Sequence, residues 1–129
     1  MTSGIAAAIE GEQAAVYAYG LAGPHLDETE RSLALGALAA HRLRVLALRE
    51  LAPDGMEPGA PAGYDVPPVE GPEQARALLA QVESRLCAAY ADLAAETSGV
   101  DRTQAVLSAR ECSVRSVAWG APPQAFPGR

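Results

Sequence analysis

The chain has 129 residues with a net charge of −6, and 49% of its residues are hydrophobic, so it is long enough to bury one core and too apolar to be a disordered segment. It contains no basic stripe and no apolar run of the ~20 residues that span a bilayer, so we expect neither nucleic acid nor a membrane as a partner. The two cysteines form no disulfide framework, and the N-terminus lacks a signal-peptide pattern, which together predict a cytoplasmic location.

The first two predicted helices form a hairpin, in a chain whose 28 alanines favour helix formation. Helix A covers residues 3–22 and ends before a Gly-Pro pair, because proline disfavours helical geometry in the residue before it. Helix B covers residues 27–52, where Asp27 lies three residues before Glu30, which is the spacing of a helix-capping pair. The short connection makes helices A and B antiparallel neighbours.

Residues 53–71 form a Pro- and Gly-rich acidic crossover loop within a predicted domain of residues 1–120. Between Arg49 and Arg76 the chain has six acidic residues and no basic one, which leaves ten acids and ten arginines elsewhere. This segment therefore carries the whole surplus of negative charge. We interpret it as a solvated crossover, and recruitment of a partner by the acidic loop is the alternative.

The last two predicted helices form a second hairpin. Helix C covers residues 72–98, begins with a proline that suits a first turn, and is capped by Gly99. Helix D covers residues 101–119 and opens on Asp101, and residues 121–129 form a C-terminal tail. At ~3.3 Å per residue the long loop can travel the length of a helix. The predicted fold is therefore an all-α antiparallel four-helix bundle with one long crossover between helices B and C.

An internal repeat relates the two hairpins. Helix A has Glu12 with Tyr19 seven residues on, and helix C has Glu83 with Tyr90 seven residues on. The positions 29 residues after these glutamates are His41 in helix B and Cys112 in helix D. The second hairpin therefore resembles a copy of the first.

Three ionisable residues interrupt apolar helix stripes at mid-helix: Glu12, His41 and Glu83. Ionisable groups are costly to bury unless they are paired or bind a metal. Three of them at comparable depth predict a shared polar centre, with Tyr19 and Tyr90 as supporting polar residues of the core.

Five segments carry a resemblance to a known family. They are EQAAVYAYG (12–20), AAHRLR (39–44), ESRLCAAYADL (83–93), RECSVRSVAW (110–119) and AFPG (125–128). In this order and spacing they resemble the ferritin-like superfamily and, more narrowly, a bacterial family of small ferritin-like domain proteins of unknown function. The resemblance covers nearly the whole chain and implies the ferritin-like form of the predicted bundle.

The di-iron site of that superfamily uses two lone glutamates and two Glu-x-x-His pairs. The resemblance places Leu38 and Ala109 where the glutamates of those pairs belong, so we expect no standard di-iron site. A reduced mononuclear site, for Fe or Mn or alternatively Zn, is one interpretation of what remains. Its candidate ligands are Glu12, His41 and Glu83, with Cys112 as a fourth candidate. The other interpretation, which we favour, is a hydrogen-bonded cluster without a cofactor.

Several further residues are assigned to the core or to the surface. Cys87 and Cys112 are expected to be small core side chains, while Arg42, Arg44 and Arg49 are expected to form a solvated face of helix B. His25 is expected to be a solvated surface residue. Trp119 and Phe126 are expected to anchor the end of helix D and the tail, and Tyr17 is expected to be exposed at a dimer contact.

These observations favour a non-enzymatic protein. We expect a ferritin-like scaffold, most simply a homodimer, that binds a protein or small-molecule partner. The alternative is a metal-dependent oxidoreductase that uses the reduced ligand set of Glu12, His41 and Glu83.

Overall fold

The computed structural model describes residues 3–52 and 66–125, which contain α-helices and no strand. The four helices are α1 (Ser3–Ala22), α2 (Glu28–Leu51), α3 (Pro72–Glu96) and α4 (Gly99–Ala118), and a 3₁₀ turn at Gly23–His25 joins α1 to α2. The predicted all-α four-helix class is therefore confirmed. None of the described helices combines the length and the apolar character that a membrane span requires.

Helix α2 begins as its sequence predicts. Asp27 is the N-cap residue, and its carboxylate accepts a hydrogen bond of 2.8 Å from the backbone N–H of Glu30. This bond satisfies one of the N–H groups that the first turn of a helix leaves without a partner.

The corner between α3 and α4 differs from the prediction. Helix α3 ends at Glu96, and Thr97 closes it by donating its hydroxyl to the carbonyl of Leu93 at 2.8 Å. Gly99 does not cap α3 but begins α4, with a φ of +61° that glycine adopts without a Cβ clash. Asp101 consequently lies inside the first turn of α4 and does not cap it. The chain reverses direction over two residues, so the turn itself requires the glycine.

Two apolar clusters occupy opposite ends of the bundle. One contains Ile9, Leu48, Leu93 and Ala105, and the other contains Ala22, Ala34, Leu79 and Trp119. The end of α2 lies in the first cluster and the start of α3 in the second, so these two helix ends lie at opposite ends of the bundle. Residues 53–65 of the predicted acidic loop lie outside the described residues, as do residues 126–129, which include Phe126.

The bundle is open on one side. Helix α1 packs against α2 and α3, and α3 packs against α4, but over the described length of both helices no Cα atom of α2 lies within 8 Å of one in α4. Arg44 crosses this gap and donates hydrogen bonds to the Ser108 hydroxyl and the Glu111 carboxylate. Its guanidinium carbon also lies 6.0 Å from the centre of the Tyr90 ring. The prediction of a solvated Arg44 was therefore wrong, because its long side chain reaches α4 across the gap.

A buried Glu–His–Glu centre

The three predicted polar residues meet in the middle of the bundle. Glu12 on α1, His41 on α2 and Glu83 on α3 have exposed fractions of 0%, 1% and 0%. Each lies on the buried face of its helix, between the two apolar clusters. Their position follows from the helical spacing that also buries their apolar neighbours.

His41 lies between the two carboxylates. Its Nδ1 is 2.5 Å from Oε1 of Glu12 and its Nε2 is 2.7 Å from Oε2 of Glu83. A protonated ring can donate from both nitrogens at once, and each facing carboxylate oxygen can accept one of these hydrogen bonds. Burial opposes this charge, but the hydrogen bonds and the negative charges of Glu12 and Glu83 outweigh it and raise the pKa of His41 to about 9.

Two tyrosines also donate hydrogen bonds to the carboxylates, each to the glutamate on the other of the two helices α1 and α3. Tyr90 on α3 donates its hydroxyl to Oε2 of Glu12 at 2.5 Å, and Tyr19 on α1 donates to Oε2 of Glu83 at 2.6 Å. Burial and then the adjacent carboxylates raise the pKa of both phenols far above the ordinary value, so both remain protonated donors. Each carboxylate therefore accepts one bond from His41 and one from the tyrosine of the opposite helix.

Trp119 extends this network to the end of α4. Its indole Nε1 donates to the hydroxyl of Tyr19 at 2.8 Å, and the two rings lie edge to face with centres 6.2 Å apart. The sequence predicted Trp119 as an anchor of the end of helix D and the tail, without this hydrogen bond. Its position on the apolar stripe of α4 indicated that it is buried. No local sequence pattern identifies the group to which its indole N–H donates.

Cys112 occupies the position that the internal repeat pairs with His41. Its thiol is buried, and burial followed by the charges of Glu83 and Glu12 raises its pKa far above the ordinary value. It therefore remains a thiol at neutral pH and is a poor nucleophile. The second oxygen of Glu83, Oε1, accepts no hydrogen bond from the described residues.

The arrangement of these residues does not fit a metal centre. A metal ion lies about 2.0–2.1 Å from a ligating imidazole nitrogen, along its lone-pair direction. In His41 both of these directions are occupied by carboxylate oxygens at hydrogen-bonding distance. Leu38 and Ala109, where the resemblance would require carboxylates, pack against the two apolar clusters. Within the described ranges no three His, Cys, Asp or Glu side chains are arranged to hold a metal ion.

The chain is similar to sequences and structures of unassigned function. The model of a protein family described as "Domain of unknown function (DUF4439)" matches residues 4–129. The crystal structure of a conserved hypothetical protein, rv2844, from Mycobacterium tuberculosis is similar with a TM-score of 0.85 and 24% identity, over 92% of each chain. At this identity the likeness concerns the fold. No curated protein sequence matches the chain.

Proposed function

We propose that this chain, which belongs to the DUF4439 family, is a helical scaffold. It binds partners at its surface and performs no chemistry at its polar centre. The observation that carries this proposal is the closure of the centre. Glu12, His41 and Glu83 are at most 1% exposed, and both nitrogens of His41 are engaged. A substrate would have no path to these groups, because none of the three is more than 1% exposed.

The proposed scaffold is a ferritin-like bundle in which a protonated histidine replaces the metal. Two buried carboxylates that face each other need a positive charge between them, and His41 supplies it as an imidazolium. The crossover connection and the five motif segments support this assignment. The free, buried Cys87 and Cys112 suit the reducing cytoplasm that we propose as the location.

The oxidoreductase alternative has less support from the geometry. To bind Fe or Mn, His41 would have to lose a proton and turn one nitrogen away from its carboxylate. Its raised pKa of about 9 opposes the first step, and the hydrogen bonds to Glu12 and Glu83 oppose the second.

Metal loading separates the two functions. Wild-type protein reloaded anaerobically with Fe(II) or Mn(II) is expected to retain no stoichiometric metal after desalting, as measured by plasma mass spectrometry. About one ion per chain in the wild type, absent from Glu12→Gln, would overturn the proposal and favour the oxidoreductase. His25→Ala, which changes a histidine in the 3₁₀ turn away from the centre, is the matched control.

The surface available for binding is an outward face of α2, which we call the leucine face. Leu35, Leu43 and Leu46 are 60%, 68% and 60% exposed, and Ala39 lies among them. Exposed apolar surface of this kind is typical of interaction sites. An antiparallel pairing of two α2 helices about Ala39 brings Leu35 of one copy near Leu43 of the other, so we propose that a second copy covers the face.

Oligomeric mass tests the dimer. Wild-type protein is expected to sediment with twice the chain mass, and Leu43→Glu as a monomer, because a charge would be buried in the contact. Val114→Glu, at an exposed position of α4 outside the leucine face, should remain dimeric. A wild-type monomer at about 100 μM, well above the micromolar Kd of a weak dimer, would contradict this proposal.

A further inference from the structure

A groove of about 300 Å³ lies on the open side of the bundle, near the end of α4. It exists because α2 and α4 do not pack closely there and because small residues face the gap. A Cβ placed on Gly36 would meet no atom within 4 Å. The groove is lined by Glu30, Ser32, Leu33, Gly36, Ala37, Arg115, Ala118 and Trp119.

One wall of the groove is held in place from inside the bundle. The indole of Trp119 donates to Tyr19, and Tyr19 in turn donates to the buried carboxylate of Glu83. The indole, which is 6% exposed, is therefore held in place before any ligand arrives. A preformed wall lowers the entropic cost of binding.

The groove is lined by one acidic and one basic side chain, Glu30 and Arg115. Glu30 is already paired with Arg76, through two hydrogen bonds of 2.5 and 3.0 Å. Among the described residues Arg115 makes no side-chain hydrogen bond or ion pair, and its charge acts on the Tyr19 phenol and the Cys112 thiol of the buried centre, where it lowers the pKa against the larger effect of burial. The groove therefore presents a guanidinium that is in no ion pair, next to the paired carboxylate of Glu30 and an apolar wall.

We propose that this groove binds a small amphipathic anion, in the form of a monocarboxylate with an apolar body. Its carboxylate would accept from Arg115, and its body would lie against Trp119, Leu33 and the space above Gly36. The volume is at the lower end for ligand sites, which fits a short chain or a single ring. This site goes beyond the proposed dimer, which uses the outward leucine face of α2.

Octanoate is a suitable probe, and 1-octanol is its uncharged counterpart. Trp119 is the only tryptophan, so its fluorescence reports on the groove directly. Titration to about 10 mM covers the millimolar affinity expected of so small a ligand. We expect a saturable change in emission, together with shifts in the backbone amide NMR signals of Leu33, Gly36 and Ala118.

Two pairs of variants locate the binding. Gly36→Leu fills the groove and should weaken octanoate binding at least tenfold, whereas Gly20→Leu, at an equally open glycine of α1, should bind as the wild type does. Arg115→Gln should weaken octanoate about tenfold and leave octanol unchanged, since only the carboxylate uses the guanidinium. Arg110→Gln, on an exposed part of α4, is the charge control.

Three results would overturn the proposal. They are the absence of saturable fluorescence and amide shifts in the wild type, unchanged octanoate binding in Gly36→Leu, and an equal effect of Arg115→Gln on octanoate and octanol. The amide shifts of the wild type keep the test decisive if a variant unfolds. The mass of the wild type is a separate readout, so failure of the groove and failure of the dimer are distinguishable.

Discussion

His41→Ala is expected to lower the free energy of unfolding by about 3–5 kcal/mol at neutral pH, as measured by urea denaturation followed by circular dichroism. The substitution leaves the carboxylates of Glu12 and Glu83, both 0% exposed, without the cation that lies between them. Removing one partner of a buried ion pair costs more than the pair contributes, because the remaining charge stays desolvated. The space vacated by the ring adds to the loss.

A second substitution distinguishes charge from packing in this result. Glu12→Gln in the His41→Ala background removes one of the two facing charges and should restore part of the lost stability, as a double-mutant cycle measures. His25→Ala should change stability by less than about 0.5 kcal/mol, since no buried ion pair is affected. A loss below about 1 kcal/mol for His41→Ala would contradict the buried ion triad.

The stability of the wild-type protein is expected to fall as pH rises from about 6.5 to about 9. The pKa of His41 is raised from 6.5 to about 9 in the folded protein, mainly by its bonds to the two carboxylates against the opposing effect of burial. A group with a raised folded pKa contributes its full stabilisation below the unfolded pKa and loses it as pH passes the folded pKa. The difference corresponds to about 3 kcal/mol.

Urea denaturation at a series of pH values across this window measures the decline. His41 is bonded to Glu12 and Glu83, and these carboxylates in turn interact with Tyr19, Tyr90 and Cys112. Both phenols and the thiol remain protonated throughout because their pKa values are raised. The decline should persist in His25→Ala and disappear in His41→Ala. A flat profile for the wild type between these pH values would show that His41 is not charged in the folded protein.

The buried centre also determines the register of the helices. Glu12 reaches Tyr90 and His41, while Glu83 reaches Tyr19 and the same His41. A slip of one helical turn, about 5.4 Å, between any two of α1, α2 and α3 would break at least one of these bonds. A core of small alanine side chains discriminates weakly between registers, so we infer that the polar residues supply this specificity.

The sequence alone determined the number of helices, their faces and the residues of the centre. The spacing of apolar residues and the proline and glycine residues that end helices are local properties of the sequence. They therefore identified the four helices, and local spacing likewise identified the Asp27 cap. The same spacing placed Glu12, His41 and Glu83 on inward faces at similar depth. An ionisable residue within an apolar helix stripe can be identified as part of a polar centre without knowing which residue it pairs with.

Only the tertiary structure decided how these side chains are paired. The reciprocal bonds of the two tyrosines, the crossing of Arg44 to α4 and the groove beside Trp119 all depend on distances between helices. The Thr97–Gly99 corner likewise depends on how α3 and α4 pack. Periodicity along one helix states which face is buried, but it contains no information on the separation of two helices or on the rotamers that span it. Those are set by the packing of the whole bundle.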